Sequence, residues 1–341
     1  MTAAVPPVLE GRGLSKQYRV KRGSGLFARR VRLQAVDDVT ISLAAGKVTG
    51  LVGESGSGKT TVVRMLAKIV APNGGEILVD GKPAPPGRPR EYTRQVQMVF
   101  QDPFGSLNPV HRVRHHLERP LKVHHLANGN AGTAVADLLQ RVALRPPEQF
   151  ADKFPHELSG GQRQRVAIAR TLAVQPRVLL ADEPISMLDV SIRLGVLNLL
   201  ADLRERERLA ILYVTHDIAS ARYLADTITV MYAGQVVETA PSAELTDQPA
   251  HPYTQLLLAA APDPDRIEQP PSLAGSGAPP SLVEPSRACL FHPRCPHAMD
   301  ICRRVKPPTV QVAGGHGAAC WLHVDPADRE AHGTGAGNRE D

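Results

Sequence analysis

One stretch constrains the fold more than any other. Lys47-Val-Thr-Gly-Leu-Val-Gly53 is a short apolar run closing on glycine. It leads into Gly53-Glu-Ser-Gly-Ser-Gly-Lys59-Thr60 and then into a periodic apolar stretch from Thr60 to Val70. The pattern predicts a strand, a phosphate-binding loop and a helix, in the order that G-x-x-x-x-G-K-[ST] requires. Gly53, Gly56 and Gly58 let the backbone turn its N–H groups toward phosphate, and the helix N-terminus adds partial positive charge there. Lys59 can reach the β- and γ-phosphates, and the Thr60 hydroxyl can ligate Mg²⁺. Ser55, Ser57 and Thr61 belong to the same loop and helix start and are taken as ATP-binding with it.

Two further patterns narrow the chemistry. Arg177-Val-Leu-Leu-Ala-Asp182-Glu183 reads as a continuously apolar central strand ending in two acids. Asp182 can hold Mg²⁺ with hard oxygen, and Glu183 can orient or deprotonate an attacking water. About a hundred residues after the first loop stands Leu158-Ser-Gly-Gly-Gln162. Ser159, Gly160 and Gly161 open a helix predicted to run from Gly160 to Ala173, so free N–H groups face an anion. Its Arg163, Arg165 and Arg170 suit either a solvated or interdomain face or phosphate contact. His216 closes the apolar strand Ala210–Thr215.

With these pieces in this order, residues 8–260 resemble the ATP-binding cassette ATPases. The matching positions are Gly53–Thr60, Gln101, Leu158–Gln162, Asp182-Glu183, Ser186-Met-Leu-Asp189 and His216. Ser-Met-Leu departs from the commoner Ser-Ala-Leu in the same place. The resemblance implies an α/β P-loop NTPase fold: a core sheet, an antiparallel β subdomain and a helical subdomain at about 105–175. It implies that Tyr18 stacks on adenine and that Gln101 contacts Mg²⁺ and the attacking water. It further implies that Ser159, Gly160, Gly161 and Gln162 bind the ATP of an opposite subunit, and that Asp189 joins the two halves. His216 would contact the γ-phosphate, with Glu183, His216 and Gln101 as the catalytic set and Thr60, Gln101 and Asp182 on Mg²⁺.

Composition bounds the setting. The 341 residues are 42% hydrophobic, with room for one large domain and a small one. No run approaches the roughly 18 apolar residues of a membrane span, and Met-Thr-Ala-Ala-Val-Pro-Pro carries no secretory signal pattern. The expected place is therefore the cytosol, with any membrane link made through a partner; the resemblance implies the cytoplasmic face of the cell membrane. The net charge is +6, and residues 1–34 hold eight Lys or Arg against one acid. The loop flanked by Lys21, Arg22, Arg29, Arg30 and Arg32 suits a solvated surface or anionic headgroups. It lacks the aromatic interleaving of a nucleic-acid site, and no nucleic-acid partner is expected.

Residues 105–157 read as helical with breaks at Pro109, Pro120 and Pro146-Pro147, residues 189–207 as an amphipathic helix, and 227–238 as a hairpin. His111, His115, His116, His124 and His125 fall in a polar, Arg-rich stretch that argues against a metal site. Residues 261–286 read as a proline-rich linker, 287–323 as a small Cys-rich extension, and 324–341 as a disordered tail.

All four cysteines lie in that extension, spaced Cys289-x5-Cys295-x6-Cys302-x17-Cys320. Disulfides do not suit a cytosolic chain. Four thiolates can hold zinc, although C-x-x-C knuckles are absent, or a [4Fe–4S] cluster, which tolerates other spacings. His251-Pro-Tyr-Thr254 followed by this tail, with Asp102-Pro-Phe-Gly-Ser-Leu-Asn-Pro109, resembles the oligopeptide/dipeptide and nickel importer ATPases. Some of these carry an iron–sulfur cluster there. The resemblance implies an importer motor with a second ATPase subunit (identical or a sister chain), two transmembrane permease subunits and an extracytoplasmic solute-binding protein. The rival class is a soluble cassette ATPase acting on nucleic acid or ribosomes. Its usual coiled coil, zinc inserts or second cassette are missing from the sequence.

Overall fold

The computed structural model describes residues 6–22, 29–126, 130–260, 280–283 and 285–334. The basic loop at 23–28, most of the proline-rich linker and residues 335–341 lie outside the described residues. The chain opens with two long strands, β1 (Pro7–Arg22) and β2 (Arg29–Ala44), paired antiparallel along their length. Their outer ends set Arg19 opposite Arg32 and Lys21 opposite Arg30. Next come β3 (Val48–Val52), α1 (Lys59–Leu66), β4 (Gly74–Val79), β5 (Lys82–Pro83), α2 (Arg90–Gln95) and β6 (Val96–Val99). One antiparallel sheet has the order β2-β1-β4-β5.

Five helices follow: α3 (Pro103–Ser106), α4 (Val113–Val123), α5 (Ala131–Arg141), α6 (Pro147–Ala151) and α7 (Gly160–Leu172). They form the expected helical part. Val113, Leu117, Leu121, Val135, Leu138 and Leu139 interlock there, each contributing roughly 1.5–3 kcal/mol by burial. Pro120 does not break α4 but lies inside it. The buried face of Val113, His116, Leu117 and Leu121 outweighs the one lost backbone hydrogen bond.

The chain then alternates β7 (Val178–Asp182), α8 (Val190–Glu207), β8 (Ala210–Thr215), α9 (Ile218–Leu224), β9 (Thr227–Tyr232) and β10 (Gln235–Pro241). Every residue of β3, β7 and β8 is buried, as parallel strands covered on both faces require. The hairpin β9–β10 forms as expected. Two helices, α10 (Ser242–Asp247) and α11 (Pro252–Ala259), end the first large part.

The Cys-rich C-terminal region is built onto the main sheet. Its strands β11 (Thr309–Ala313) and β12 (His316–Ala319) extend the main sheet, whose order is β11-β12-β10-β9-β3-β8-β7-β6. The join is Glu238 opposite Ala318 and Thr239 opposite Gly317. Before it, Gln34 N–H donates to the Leu282 carbonyl at 2.8 Å, pinning the end of the linker to β2. Residues 326–334, expected to be disordered, form α12 (Pro326–Thr334). Asp325 Oδ1 accepts the Ala327 N–H at 2.9 Å, and Pro326 supplies a φ suited to the first turn.

Candidate nucleotide site

The phosphate loop sits between β3 and α1, at the carboxyl end of a central strand. Two glycines have no substitute here. A Cβ on Gly58, at φ 100°, would run into the Ala35 carbonyl oxygen, and one on Gly53 into that of Met231. Lys59 is 5% exposed, and its Nζ donates to the Gly53 and Glu54 carbonyls at 2.6 and 2.9 Å. Burial pulls this ammonium below its usual range, opposed by Glu183, Asp182 and Glu54. A phosphate would return the lost charge partner.

The carboxylates arrive from β7. Thr60 Oγ1 donates to Asp182 Oδ1 at 3.2 Å. Burial pushes the Asp182 carboxyl up, Glu183 adds to this, and the Thr60 hydroxyl, Arg64 and Lys59 oppose it. A buried carboxylate beside a hydroxyl is a hard oxygen pair that fits Mg²⁺. Glu183 has φ 48°, a left-handed conformation rare for a side-chain-bearing residue. Its N–H donates to the Val214 carbonyl at 2.9 Å. Its Oε2 accepts from Gln101 Nε2 at 3.1 Å and stands 3.5 Å from His216 Nδ1. Glu54–Thr61, Gln101, Glu183 and His216 share one cleft of about 660 Å³. The three residues of the sequence-predicted catalytic set, from three separate segments, are thus brought together beside the phosphate loop.

Other predicted residues lie elsewhere. Tyr18 is half-buried on β1, outside the cleft lining, and faces Leu33, which does line it. Ser159 opens α7 with a reciprocal cap: its Oγ accepts the Gln162 N–H at 3.3 Å, and Gln162 Oε1 accepts the Ser159 N–H at 3.0 Å. Gly160 follows it, and Gly161 is packed so closely that a Cβ would strike Ile192 of α8. Asp189, just before α8, is exposed, as are Ser159 and the neighbouring Met187 and Val190. None of these lines the cleft. The three arginines of α7 bond carbonyls: Arg163 that of Leu158, Arg165 those of Val142 and Gly195, Arg170 that of Ser106. In this structure they brace the helical part. His111 and His115 stack at 3.9 Å, and His116 Nε2 lies 3.1 Å from the Asn108 carbonyl oxygen.

The four cysteines carry free thiols. Cys302 and Cys320 are buried, Cys289 and Cys295 half-buried, and Cys289 N–H donates to the Cys302 carbonyl at 2.9 Å. Burial first, and neighbouring cysteines with it, push the Cys289 thiol up to about 11 and that of Cys320 to about 12. Cys295 is shifted up by burial too. Four thiols in this region supply the donor chemistry of a metal centre, whose positive charge would favour their thiolates. Among the described residues, no group of three or more His, Cys, Asp or Glu side chains stands in a metal-holding arrangement.

Sequence reasoning missed what grips the loop from outside. Tyr253, in the His-Pro-Tyr-Thr stretch, accepts the Glu54 N–H on its hydroxyl at 2.9 Å. Arg294, from the C-terminal region, forms two 2.9 Å bonds to the Glu54 carboxylate. The His-Pro-Tyr-Thr stretch was the available signal for the first contact; nothing local marks the second.

Comparison with known proteins agrees with this geometry. Residues 36–186 match the family model described as ABC transporter, and residues 237–302 match "Oligopeptide/dipeptide transporter, C-terminal region". The chain is 40% identical over 332 residues to the oligopeptide transport ATP-binding protein AppF of Bacillus subtilis, covering 95% of this chain and all of the relative. It is 39% identical over 325 residues to a probable peptide ABC transporter ATP-binding protein, y4tS, of Sinorhizobium fredii, covering 94% and 91%. Among solved structures it resembles MJ0796, a bacterial ABC transporter cassette in dimeric form, with 28% identity and a TM-score of 0.58, over 69% of this chain and 98% of that one. Among the described residues no helix is long and apolar enough to cross a membrane. The chain belongs to the ABC transporter ATP-binding proteins of the oligopeptide/dipeptide type.

Proposed function

We propose that this chain is the ATP-hydrolysing motor subunit of a peptide importer, working as one of two cassettes that close on two ATP molecules. One observation carries this reading. The cleft is lined by Glu54–Thr61, Gln101, Glu183 and His216, while Ser159, Gly160, Gln162 and Asp189 lie outside its lining, Ser159 and Asp189 exposed. A second cassette, identical or sister, would bring its own Ser159-like helix start over the γ-phosphate, where N–H groups and dipole favour the anion. MJ0796 is dimeric, which supports this arrangement.

Each residue then has a task. The loop N–H groups and Lys59 hold the phosphates, and Thr60 and Asp182 would hold Mg²⁺, which offsets phosphate charge. Glu183 accepts the proton of the attacking water, with Gln101 and His216 both beside its Oε2 to orient it. Tyr18 would reach adenine from β1. Cys289, Cys295, Cys302 and Cys320 would hold a [4Fe–4S] cluster. Four free thiols in the C-terminal region, and a family match that spans Cys289, Cys295 and Cys302, support this. The cassette would attach peripherally to two transmembrane permease subunits at the cytoplasmic face, with an extracytoplasmic binding protein delivering solute.

ATPase activity of the chain assembled with its membrane partners in lipid tests the function. Stimulation by peptide-loaded binding protein is expected. Stimulation by the nickel-loaded form alone would change the solute, and stimulation by nucleic acid without a membrane complex would overturn the reading. Oxygen-free purification should yield about four irons per chain and a visible absorbance band; zinc or empty thiols would remove the cluster.

A further inference from the structure

The second residue of the phosphate loop is gripped on every side. Its N–H donates to the Tyr253 hydroxyl at 2.9 Å, and its carbonyl accepts from Lys59 Nζ at 2.9 Å and from the Ser57 N–H at 3.2 Å. Its carboxylate accepts Arg294 Nη1 and Nη2, each at 2.9 Å. These two residues are 240 positions apart.

Arg294 is built into place. Its side chain is 10% exposed, against 31% for Glu54. Its guanidinium carbon lies 5.7 Å from the Tyr232 ring centre and 5.8 Å from that of Phe291. Phe291 is 2% exposed and packs on Tyr232, Tyr253 and His251. A tight turn over His292–Arg294, closed by Arg294 N–H to the Phe291 carbonyl at 3.0 Å, fixes the stem of the arginine to this aromatic cluster. A forked, two-bond ion pair in a shielded setting holds geometry far better than an exposed single contact.

We propose that Arg294 is a positioning residue for ATP. From the C-terminal region it holds the phosphate loop, through Glu54, in the shape that receives the nucleotide. The region beyond the linker is thus a working part of the ATP site. Arg294 acts through Glu54 and is not among the residues that line the cleft, so its effect falls on affinity. Without it the Glu54 carboxylate loses its shielded partner and the loop samples other shapes before ATP arrives. The turn lies between Cys289 and Cys295, so any group those thiols hold is one residue away from the contact.

This inference rests on the reading of Gly53–Thr60 as the ATP site, and the test separates the two. MgATP affinity is measured calorimetrically on the full chain, with KM and kcat taken in the membrane complex. The variants are Arg294→Gln, Glu54→Gln and both together, with melting curves beside each. Either single variant should weaken affinity and raise KM about five-fold, with kcat falling less, and the double variant should match the singles because they break one interaction. Wild-type affinity in either single variant, or effects that multiply in the double, would overturn the inference. If Gln at 294 unfolds the chain, Arg294→Lys carries the same decision, because it keeps the charge and loses the fork. A wild-type chain that binds no MgATP would instead sink the site assignment itself.

Discussion

Strands β3, β7 and β8 and strands β11 and β12 belong to one sheet, yet they hold their places by different means. The first three are buried at every residue and hydrogen-bonded on both sides. Of the last two, β11 is mostly exposed, and β12 meets β10 through two residue pairs. What secures the C-terminal region is side chains. His316 Nε2 lies 2.7 Å from Glu238 Oε1, in contact with a carboxylate that also accepts the Ala250 and His251 N–H groups. Lys306 pairs with Asp37, and Arg294 with Glu54. The central strands can carry chemistry at their ends because their backbones are over-determined. The C-terminal region is attached by a few polar links and by Leu290 and Phe291 packed into the main core.

That contrast can be broken by substitutions on each side. The largest effect is expected at Trp321, 1% exposed, whose Nε1 donates to the Val305 carbonyl at 3.0 Å and which packs with Ile301, Cys302 and Val324. Trp321→Ala should cost about 3–5 kcal/mol of folding stability, with loss of ordered structure in the C-terminal region and slight change in β3 and β8. Hydrogen exchange resolved by region checks this, and uniform loss across the sheet would erase the contrast. Lys59→Met should show the opposite profile, with a melting curve near wild type and turnover lower by about 10²–10³-fold.

Acid probes the seam between the regions. Burial pushes His251 down to about 3, with His323 adding to the shift, while in the unfolded chain its pKa is about 6.5. Between these values only the unfolded chain takes up the proton. The contribution is whole above pH 6.5 and is lost as pH falls, with a slope approaching 1.4 kcal/mol per unit. His251→Asn keeps an acceptor for the Tyr253 N–H, which His251 Nδ1 now accepts at 3.0 Å. It should flatten urea-derived stability between pH 6.5 and 5; an unchanged slope would place the acid sensitivity elsewhere. The smallest effect is expected at Arg177, paired with Asp80 by two 2.7 Å bonds on the surface. Arg177→Ala should cost less than about 1 kcal/mol, and a larger loss would mean that surface pairs carry more of the sheet than its buried strands do.

The same contrast governs what was legible in the sequence. Gly53–Thr60, Asp182-Glu183 and Leu158–Gln162 announce themselves because each is a run of consecutive residues. The parallel strands are legible as unbroken apolar runs. His316-Gly-Ala-Ala carries almost no strand signal, since small residues gain little from a pleated surface; pairing with β10 decides its state. Pro120 reads as a break by local rule, and four buried neighbours on α4 override it. Asp325-Pro326 is a helix start by local rule, though the surrounding polar composition reads as disorder. The Glu54–Arg294 pair spans most of the chain, and no window of sequence contains it. Tyr18 and Asp189 stand clear of the cleft for a different reason: their proposed partners are adenine and a second cassette, which lie outside the single chain.

The central claim is that the cleft formed by the Gly53–Thr60 loop, Gln101, Glu183 and His216 is the ATP-hydrolysing centre. Glu183→Gln tests it most directly, because it keeps the side chain's size and its contacts while removing the base. MgATP binding and single-turnover hydrolysis would be measured on wild type and variant together. The account predicts retained MgATP affinity and hydrolysis lowered by about 10²–10⁴-fold, with ATP left intact on a dimeric cassette. Hydrolysis at the wild-type rate in Glu183→Gln would contradict it.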